Sequence, residues 1–567
     1  MRSPLGFALA LGFTGGLVEA AVRLSPRMGL DGRQVATFVG LSVVLSLAWT
    51  VGSVIAVGRG DRAHGIVLGA YIGMQAAVNY RFEVVLNEFV REPRVWVGVL
   101  GCFLVGLAIG VAVNPALRRW MWIGPVLAVA AIPGRMAPTP RGAVTRPSVL
   151  FVSMDTTRFD HVADKPNFAR LTREGVLFTQ AIAAAPITAP SHLAMFTGSA
   201  PYRSGVVANG TNIGQRDLLW KSLGGMPSAA FVAGFPLHSK YGWAQGIDVY
   251  DDDFGWIPGL ESLSLKKAWN QVAIKEHALR ERSAERVLRR AIPWLTSHRD
   301  APFFALVHFY DPHGPYESAH NVEIGAPAAG TPLALPAYWP APFRGIADPI
   351  WLARAYDGEV RTVDDAIGAL LAALGPALDR TIVVVTADHG ETFLEHTPNF
   401  DHGDTLYDDV LRVPLVVRYP PVAKPGLVVD CQVAGIDLTP TILNLAGISD
   451  GVARQGLSRV PELKGEPCRD APVLASTTAG RFTAVPPVDH ALRGAGTKLI
   501  LKQSGAAEFY DLMGDPEEAR NLAPSMESEA VGELLRRLLA AGSAAVPPDQ
   551  DATTREALKA LGYTSEP

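Results

Sequence analysis

The chain has 567 residues, enough for more than one domain with a large core. Its 51 basic and 55 acidic residues give a net charge of −4, so the basic patch that nucleic-acid binding requires is not indicated and we expect no nucleic-acid partner. The hydrophobic content is 48% over the whole chain, and the excess of apolar residues lies before residue 134, which indicates two regions of different composition.

Five apolar runs occupy the start of the chain. They lie near residues 5–21, 35–57, 65–79, 95–114 and 120–133. The second and fourth runs reach the ~20 residues that a spanning helix needs. The first run alone resembles a signal peptide, but the runs that follow favour an uncleaved membrane segment. We predict a transmembrane domain of four or five helices over residues 1–133, with the lipid bilayer as a partner.

The orientation of these helices depends on their number. With five helices, the loops on the side of the later domain carry six arginines and the opposite side carries five. The positive-inside rule then leans against an extracytoplasmic later domain. A four-helix arrangement reassigns the loops to the two sides. Residues 134–147 are rich in proline and glycine and are predicted to be a linker.

The first motif after the linker combines a strand with a hydroxyl. Residues 147–155, PSVLFVSMD, are typical of a strand buried on both faces of a parallel sheet, and they end in Asp155. Residues 186–198, PITAPSHLAMFTG, predict a loop that runs into a short helix. Thr188 then lies at the helix N-terminus, where an alkoxide or a bound phosphate or sulfate oxygen is stabilised. An isolated threonine in such a motif is ordinarily a helix cap, and the strand ends described below favour a functional role instead.

Helical periodicity covers residues 284–297 and 363–374, alternating with strands as an α/β sandwich requires. Residues 325–345 contain five prolines and predict a surface loop near the mouth of the active site.

A second buried strand, RTIVVVTADHGE over residues 380–391, ends in Asp388 and His389. Ligands of doubly wound sheets bind at the carboxyl ends of the strands. A single aspartate there is commonly a cap or a turn former. Asp155, Asp388 and His389 together suit a divalent metal, and no separate D-x-x-x-H set is evident for a second one.

After about residue 470 the pattern of predicted strands and a helix indicates a smaller subdomain. TKLILKQ over residues 497–503 and AAEFYDL over residues 506–512 predict strands, and residues 527–541 predict an amphipathic helix. Cys431 and Cys468 either pair in an oxidising compartment or stay as free thiols.

In order along the chain, several motifs resemble the sulfatase branch of the alkaline phosphatase superfamily over roughly residues 147–525. They are VLFVSMDTTRFDH, TAPSHLAMFTGSAPYRSGV, QGIDVYDDDF, FFALVHFYDPHGPY, YDGEVRTVDDAIGALL, VVVTADHGETFLEH, HGDTLYDDVLRVPLVVRYP, IDLTPTILNLAGI and EFYDLMGDPEEARNL. The resemblance implies an alkaline-phosphatase-like α/β sandwich with a central, mostly parallel sheet. Its catalytic domain covers residues 148–470, and a small C-terminal α+β subdomain covers residues 471–567.

The resemblance also implies roles for individual residues. Asp155, Thr188, Asp388 and His389 match the metal ligands, with Thr188 at the position of the nucleophile. His313 matches a residue that assists the leaving group. His402 matches a second catalytic position, with an ordinary loop histidine as the alternative. For substrate binding, the resemblance implies His192, at the position of the family's arginine. Lys240 is a second candidate because of its charge, with an ordinary solvated lysine as the alternative. The interpretation of His308, inside an apolar run, is a satisfied core residue.

One departure from the family pattern bears on mechanism. The usual sulfatases carry a Cys or Ser that is oxidised to formylglycine, and Thr188 is not a substrate for that maturation, so no formylglycine is expected. A threonine nucleophile resembles lipoteichoic acid synthases and lipid A phosphoethanolamine transferases, which also carry N-terminal membrane helices. Those relatives typically present a glutamate where this chain has Asp155.

The sequence therefore predicts a membrane-bound, metal-dependent hydrolase that cleaves a sulfate or phosphate ester through Thr188. The metal is Ca, Mg, Mn or Zn, and the substrate is an anionic ester, with a lipid- or glycan-linked ester among the candidates. The apolar runs predict a multi-pass protein, and the resemblance implies that its catalytic domain is periplasmic or extracellular. Two alternatives stay open: a phospho-group transferase acting on envelope lipid or glycan, and a non-catalytic membrane scaffold.

Overall fold

The structure is a computed structural model, and it describes residues 146–254, 281–335, 339, 343, 345–397, 400–478 and 489–525. These residues belong to one compact unit. The predicted transmembrane domain, most of the linker and the predicted helix over residues 527–541 lie outside them. Within the described ranges, no helix has the length and apolarity needed to cross a membrane.

Fourteen strands are found in the described residues. They are β1 Ser148–Met154, β2 Val176–Ile182, β3 Ser228–Phe231, β4 Val249–Asp251, β5 Phe304–Phe309, β6 Thr381–Thr386, β7 Thr392–Phe393, β8 Phe400–Asp401, β9 Arg412–Arg418, β10 Leu427–Ala434, β11 Val473–Thr477, β12 Asp489–Arg493, β13 Thr497–Leu501 and β14 Ala507–Asp511.

The α-helices of the same ranges lie mostly between these strands. They are α1 Pro166–Glu174, α2 Thr188–Thr197, α3 Pro201–Ser204, α4 Leu219–Ser222, α5 Ala284–His298, α6 Pro349–Leu374, α7 Asp408–Leu411, α8 Leu438–Leu445 and α9 Val460–Leu463.

The core of the fold is an eight-stranded sheet in the order β10-β2-β9-β6-β1-β5-β3-β4. Strand β9 runs antiparallel to β2 and β6, and the other neighbouring pairs are parallel. The expected central, mostly parallel sheet of an alkaline-phosphatase-like α/β fold is therefore confirmed. Because β5, β1 and β6 are parallel neighbours, their carboxyl ends meet at one edge of the sheet.

Strand β1 is buried on both faces, as its unbroken apolar sequence predicts. Successive side chains of a strand point to opposite faces. Accordingly, Val149 and Phe151 belong to one hydrophobic cluster, whereas Leu150, Val152 and Met154 belong to the other. The ring of Phe151 contacts Phe196 of α2, with 5.1 Å between ring centroids, so α2 packs on the Phe151 face.

A second sheet of four antiparallel strands, β11-β12-β13-β14, follows the large one. The two strands expected after residue 489 are β13 and β14. Buried ion pairs join this sheet to the larger domain, because Asp408 of α7 lies 2.7 Å from Arg493 and 2.5 Å from Lys498. A disulfide between Cys431 and Cys468 ties β10 to the segment before β11, which resolves the open question of their pairing in favour of a disulfide.

Candidate active site

Three of the proposed metal ligands follow the ends of adjacent parallel strands. Asp155 comes directly after β1, and Asp388 comes two residues after β6 and is followed by His389. All three side chains are buried. One ligand atom from each residue lies within 4.8 Å of the others, so the sequence-distant carboxylates and imidazole are brought together as the strand ends predict.

Thr188 is the first residue of helix α2, which ends at Gly198 in the left-handed conformation. The residue in the N-cap position is Ile187, and no side-chain capping bond is formed. The N-terminus is held instead by Asn209, whose Oδ1 accepts a hydrogen bond from the backbone N–H of Ala189 at 2.8 Å. Thr188 is therefore not the helix cap of the alternative interpretation, and its hydroxyl is available for another partner.

Four buried polar atoms of these residues have no hydrogen-bond partner among the described residues. They are Asp155 Oδ1, Thr188 Oγ1, Asp388 Oδ2 and His389 Nε2. Unsatisfied buried polar atoms are rare in folded proteins and each calls for an explanation. A divalent cation is the group that would satisfy all four, since oxygen and neutral imidazole nitrogen are its ordinary ligands.

The hydrogen bonds of His389 and Asp388 leave the ligand atoms free for such a cation. Nδ1 of His389 lies 2.9 Å from the carbonyl oxygen of Gly390, which only accepts, so Nδ1 donates and Nε2 carries the lone pair. Oδ1 of Asp388 accepts from the backbone N–H groups of Thr156, at 3.2 Å, and His389, at 2.9 Å. These bonds turn Asp388 Oδ2 and His389 Nε2 away from the backbone.

Burial controls the charge of the set. It raises the pKa of the Asp155 carboxyl from 3.8 to about 7 and also raises the pKa of Asp388. For His389, burial lowers the pKa, but the two neighbouring carboxylates outweigh it, and the pKa of His389 is raised. Two carboxylates this close without a cation therefore hold protons more tightly than usual.

His192 and His308 lie behind the carboxylates, both fully buried. Nδ1 of His192 lies 2.8 Å from the carbonyl oxygen of Thr188, and its Nε2 lies 2.9 Å from Ser153 Oγ. His308 is buried as expected of a core residue, but its Nε2 lies 3.0 Å from Asp155 Oδ2. The interpretation of His308 as only a core residue missed this contact.

The rings of His313 and His402 pack edge to face beside the proposed metal ligands. Their ring centroids are 4.9 Å apart, and the His402 ring is 4.5 Å from that of His389. Nδ1 of His313 donates to the carbonyl oxygen of Gly314 at 2.9 Å, which places the lone pair of the neutral ring on Nε2. Burial lowers the pKa of both histidines well below its usual range.

Sequence reasoning also missed two acidic neighbours of His402. Oε1 of Glu391 lies 3.2 Å from His402 Nδ1, and burial raises the pKa of Glu391 to about 8. Ligand atoms of Glu391, Asp401 and His402 lie within 4.8 Å of one another, so they form a second group of metal-type donors. The sequence signal was the acidic residue directly after DHG and the one directly before His402.

Lys240 belongs to an aromatic cluster on the segment after β3. Its ammonium lies 4.5 Å from the ring centroid of Phe235 and 4.8 Å from that of Tyr241. Such cation–π contacts fix a lysine over a hydrophobic surface.

Comparison with known proteins agrees with this architecture. The sulfatase family model matches residues 147–448, and the model of the N-sulphoglucosamine sulphohydrolase C-terminal domain matches residues 395–544. The uncharacterized sulfatase YidJ of Escherichia coli is 26% identical over 423 residues, which cover 66% of this chain and 83% of that protein. An ulvan-active sulfatase of Formosa agariphila is 24% identical over 421 residues, covering 68% and 79%.

Among solved structures, the phosphonate monoester hydrolase of Agrobacterium radiobacter superposes with a TM-score of 0.56 at 21% identity. The match covers 70% of this chain and 95% of that one, and it supports the fold.

Proposed function

The chain belongs to the sulfatase family and is a hydrolase of sulfate or phosphate esters, and we propose that it acts through Thr188 as nucleophile on a divalent-metal site. The observation that carries this proposal is the set of four unsatisfied, buried atoms on Asp155, Thr188, Asp388 and His389. A set of two carboxylates, one imidazole and one hydroxyl accepts Zn, Mn, Mg or Ca. When bound, the cation supplies Lewis-acid polarisation of the ester and favours ionisation of a nearby hydroxyl.

The position of Thr188 suits it for attack. Thr188 is the first residue of α2, where the helix dipole stabilises negative charge at Oγ1. In the first step, Oγ1 loses its proton to solvent and forms a bond to sulfur or phosphorus as the bond to the leaving oxygen breaks. A water molecule then displaces Oγ1 from the central atom, and the acid product leaves.

His313 and His402 are proposed to serve the leaving group. Nε2 of His313 is the ring nitrogen that gains or loses a proton, because Nδ1 is held by the carbonyl oxygen of Gly314. A bound anion opposes the lowering of its pKa by burial, so substrate binding favours the protonated ring that donates to the leaving oxygen. His192 has both ring nitrogens within hydrogen-bond distance of protein groups, so it contributes through the positions of Thr188 and Ser153.

Phosphorus esters are the favoured substrates. A threonine cannot supply the aldehyde hydrate on which the usual sulfatases rely, and displacement from a threonine phosphoester by water needs only the groups above. Sulfate esters are the second candidate, because the similar proteins include an ulvan-active sulfatase. A phospho-group transferase would use the same first step and an acceptor alcohol in place of water.

Compartment and membrane attachment form part of the same proposal. The Cys431–Cys468 disulfide supports an oxidising compartment, where such bonds persist. The apolar runs before residue 134 support a multi-pass anchor. Together they favour a periplasmic or extracellular catalytic domain whose substrate is an anionic ester of an envelope lipid or glycan.

The test compares initial rates of the full-length chain on an aryl phosphodiester, an aryl phosphate and an aryl sulfate, each with a panel of divalent metals. Thr188→Ala should lower kcat/KM by ~10³-fold or more on the best substrate, whereas Thr188→Ser keeps a hydroxyl and should retain part of the activity. Thr197→Ala at the other end of α2 is the matched control, because its hydroxyl only bonds the carbonyl oxygen of Leu193.

The outcomes separate the alternatives. Metal-dependent cleavage of the phosphoesters supports the favoured substrate class, and faster cleavage of the sulfate shows that a plain threonine performs sulfatase chemistry. Near-wild-type activity of Thr188→Ala removes Thr188 from the mechanism. A purified wild-type protein that contains and takes up no divalent ion favours the scaffold.

A further inference from the structure

Two buried histidines form a layer behind the carboxylates of the proposed metal site. His308 lies 3.0 Å from Asp155, and Nδ1 of His192 lies 3.4 Å from Oδ2 of Asp388. The two imidazoles contact each other edge to face, with 5.0 Å between ring centroids. Both rings are fully buried, so their polar atoms depend on protein partners and not on water.

The proton on His308 is placed by its other hydrogen bond. The backbone N–H of Ala233 donates to His308 Nδ1 at 3.3 Å, so Nδ1 is the acceptor and Nε2 carries the hydrogen of the neutral ring. Nε2 therefore donates to Asp155 Oδ2. This bond occupies one carboxylate oxygen and leaves Oδ1, which has no partner among the described residues, for the cation.

His192 has the opposite tautomer. The carbonyl oxygen of Thr188 can only accept, so His192 Nδ1 carries the hydrogen, and Nε2 accepts from the hydroxyl of Ser153. Ser153 and His308 are register partners on the neighbouring strands β1 and β5. The strand register thus places the hydrogen bonds that support the Asp155 carboxylate and the Thr188 backbone on one face of the sheet, beneath α2.

We propose that His308 is a positioning residue that fixes the Asp155 carboxylate for metal binding, with the Ser153–His192 pair supporting the Thr188 and Asp388 side of the same site. This inference rests on the proposed metal site. A hydrogen bond to the second oxygen of a ligating carboxylate sets its orientation, and loss of such outer contacts typically lowers metal affinity by about 10- to 100-fold. A histidine with only a packing role would need no hydrogen bond to Asp155, because its Nδ1 already accepts one from Ala233.

Two substitutions of His308 separate these roles. In His308→Asn the amide oxygen replaces Nδ1 as the acceptor for Ala233, but the side chain is too short to reach Asp155. In His308→Gln the amide N–H group extends to the position of Nε2 and retains the donor. Glutamine is close to histidine in volume and asparagine is smaller, so unfolding of the metal-free forms is measured to account for the difference in packing.

The measurement is the dissociation constant of Mn²⁺ alone for the full-length protein, by competition with a chelator, with unfolding of the metal-free forms as a check of the fold. We expect His308→Asn to bind Mn²⁺ about 10- to 100-fold more weakly than wild type and His308→Gln to recover most of the loss. Activity of His308→Asn should return as Mn²⁺ is raised to saturation.

Equal Mn²⁺ affinity of wild type and His308→Asn, or an equal loss in both variants, overturns the inference. If His308→Asn does not fold, His308→Gln still decides, because an affinity near that of wild type requires the donor to act from the Nε2 position, and a full loss contradicts it. A wild-type protein that binds no Mn²⁺ or other divalent ion overturns the proposed metal site itself, which is a different result.

Discussion

At the residue scale, the imidazoles of the site are distinguished by which nitrogen carries the hydrogen. His389 and His313 each donate from Nδ1 to the carbonyl oxygen of the following glycine, at 2.9 Å in both cases. In the proposed mechanism, Nε2 of His389 is thereby available as a metal ligand, and Nε2 of His313 is the nitrogen that exchanges a proton. The hydrogen bond to the following glycine is the same in both residues. The proposed roles differ because His389 follows strand β6 and His313 follows strand β5.

Replacing His313 should affect substrates according to their leaving group. We expect His313→Ala to lower kcat/KM by ~10²-fold or more for an ester with an alkyl leaving group and much less for an activated aryl ester, because only the poor leaving group needs a proton. The measurement is kcat/KM across esters of graded leaving-group pKa. His298→Ala, in the last turn of α5, is the control. An equal loss on all esters would place His313 in binding instead.

The raised pKa of Asp155 makes metal binding pH-dependent. Protons and the cation compete for the same carboxylate, so Mn²⁺ affinity should rise with pH and level off above about pH 7, where Asp155 is ionised without help. Below that value each displaced proton weakens the affinity by up to ~10-fold per pH unit. Titrations of Mn²⁺ between about pH 6 and about pH 8 measure this, and a constant affinity over that interval contradicts it.

The same shift has a consequence for stability. The folded-state pKa of Asp155 is raised from 3.8 to about 7. Between those pH values the folded protein keeps a proton that the unfolded chain releases, so the free energy of unfolding of the metal-free protein falls as the pH rises. A cation that pairs with the ionised carboxylate offsets that loss. The rise in Tm on adding Mn²⁺ should therefore be larger at about pH 8 than at about pH 6.

At the element scale, the strand ends were predictable and the supporting layer was not. Unbroken apolar runs that end in a polar residue identify β1 and β6, and the glycine after residue 197 identifies the end of α2. His308 looked like a core residue because its partner Asp155 is 153 positions away, and only the register of β1 against β5 brings them together.

Helix α6 shows why helix boundaries were less predictable. Periodicity indicated residues 363–374, but the helix begins at Pro349, where the side chain of Asp348 caps the backbone N–H of Trp351. The first half of α6 buries polar residues such as Tyr356 and Glu359, so its buried face does not show the apolar spacing by which a helix is predicted from sequence. The buried hydroxyl of Tyr356 donates a hydrogen bond to the carbonyl oxygen of Thr156, the residue after the proposed metal ligand Asp155.

The turn after β6 is predicted to tolerate no side chain at Gly390. A Cβ there would lie 2.2 Å from the carbonyl oxygen of Asp409, so Gly390→Ala must displace the backbone that carries Asp388 and His389. We expect Mn²⁺ affinity and kcat/KM both to fall at least ~10-fold. Gly494→Ala, whose Cβ would be 3.4 Å from Thr497, is the matched control. Wild-type values for Gly390→Ala would show that the turn adapts.

At the scale of the whole molecule, the small sheet supports the site. The hydroxyl of Thr477 in β11 donates to the carbonyl oxygen of Gly403, the residue after His402. The buried ion pairs of Asp408 with Arg493 and Lys498 attach the same sheet through α7. The C-terminal strands are therefore part of what holds the His402 loop, a relation that the sequence pattern alone did not indicate because the contacts are long-range.

Thiol counting tests the disulfide and the compartment together. The chain has three cysteines, and with Cys431 and Cys468 paired, the denatured protein should show one reactive thiol before reduction and three after. Converting both to serine should lower the free energy of unfolding by about 2–4 kcal/mol, since the crosslink closes a loop of 37 residues. Three reactive thiols in protein purified without reductant would contradict the pairing and weaken the case for an oxidising compartment.

The central claim is that the ester group is transferred to Thr188. The most direct test mixes the metal-loaded, full-length protein with excess aryl phosphodiester, quenches with acid during the first turnover and maps peptides by mass spectrometry. We expect the peptide containing Thr188 to carry the transferred group on that residue, the Thr188→Ser protein to carry it on the serine, and the Thr188→Ala protein to carry none. A group on another residue, or wild-type turnover by Thr188→Ala, would contradict it.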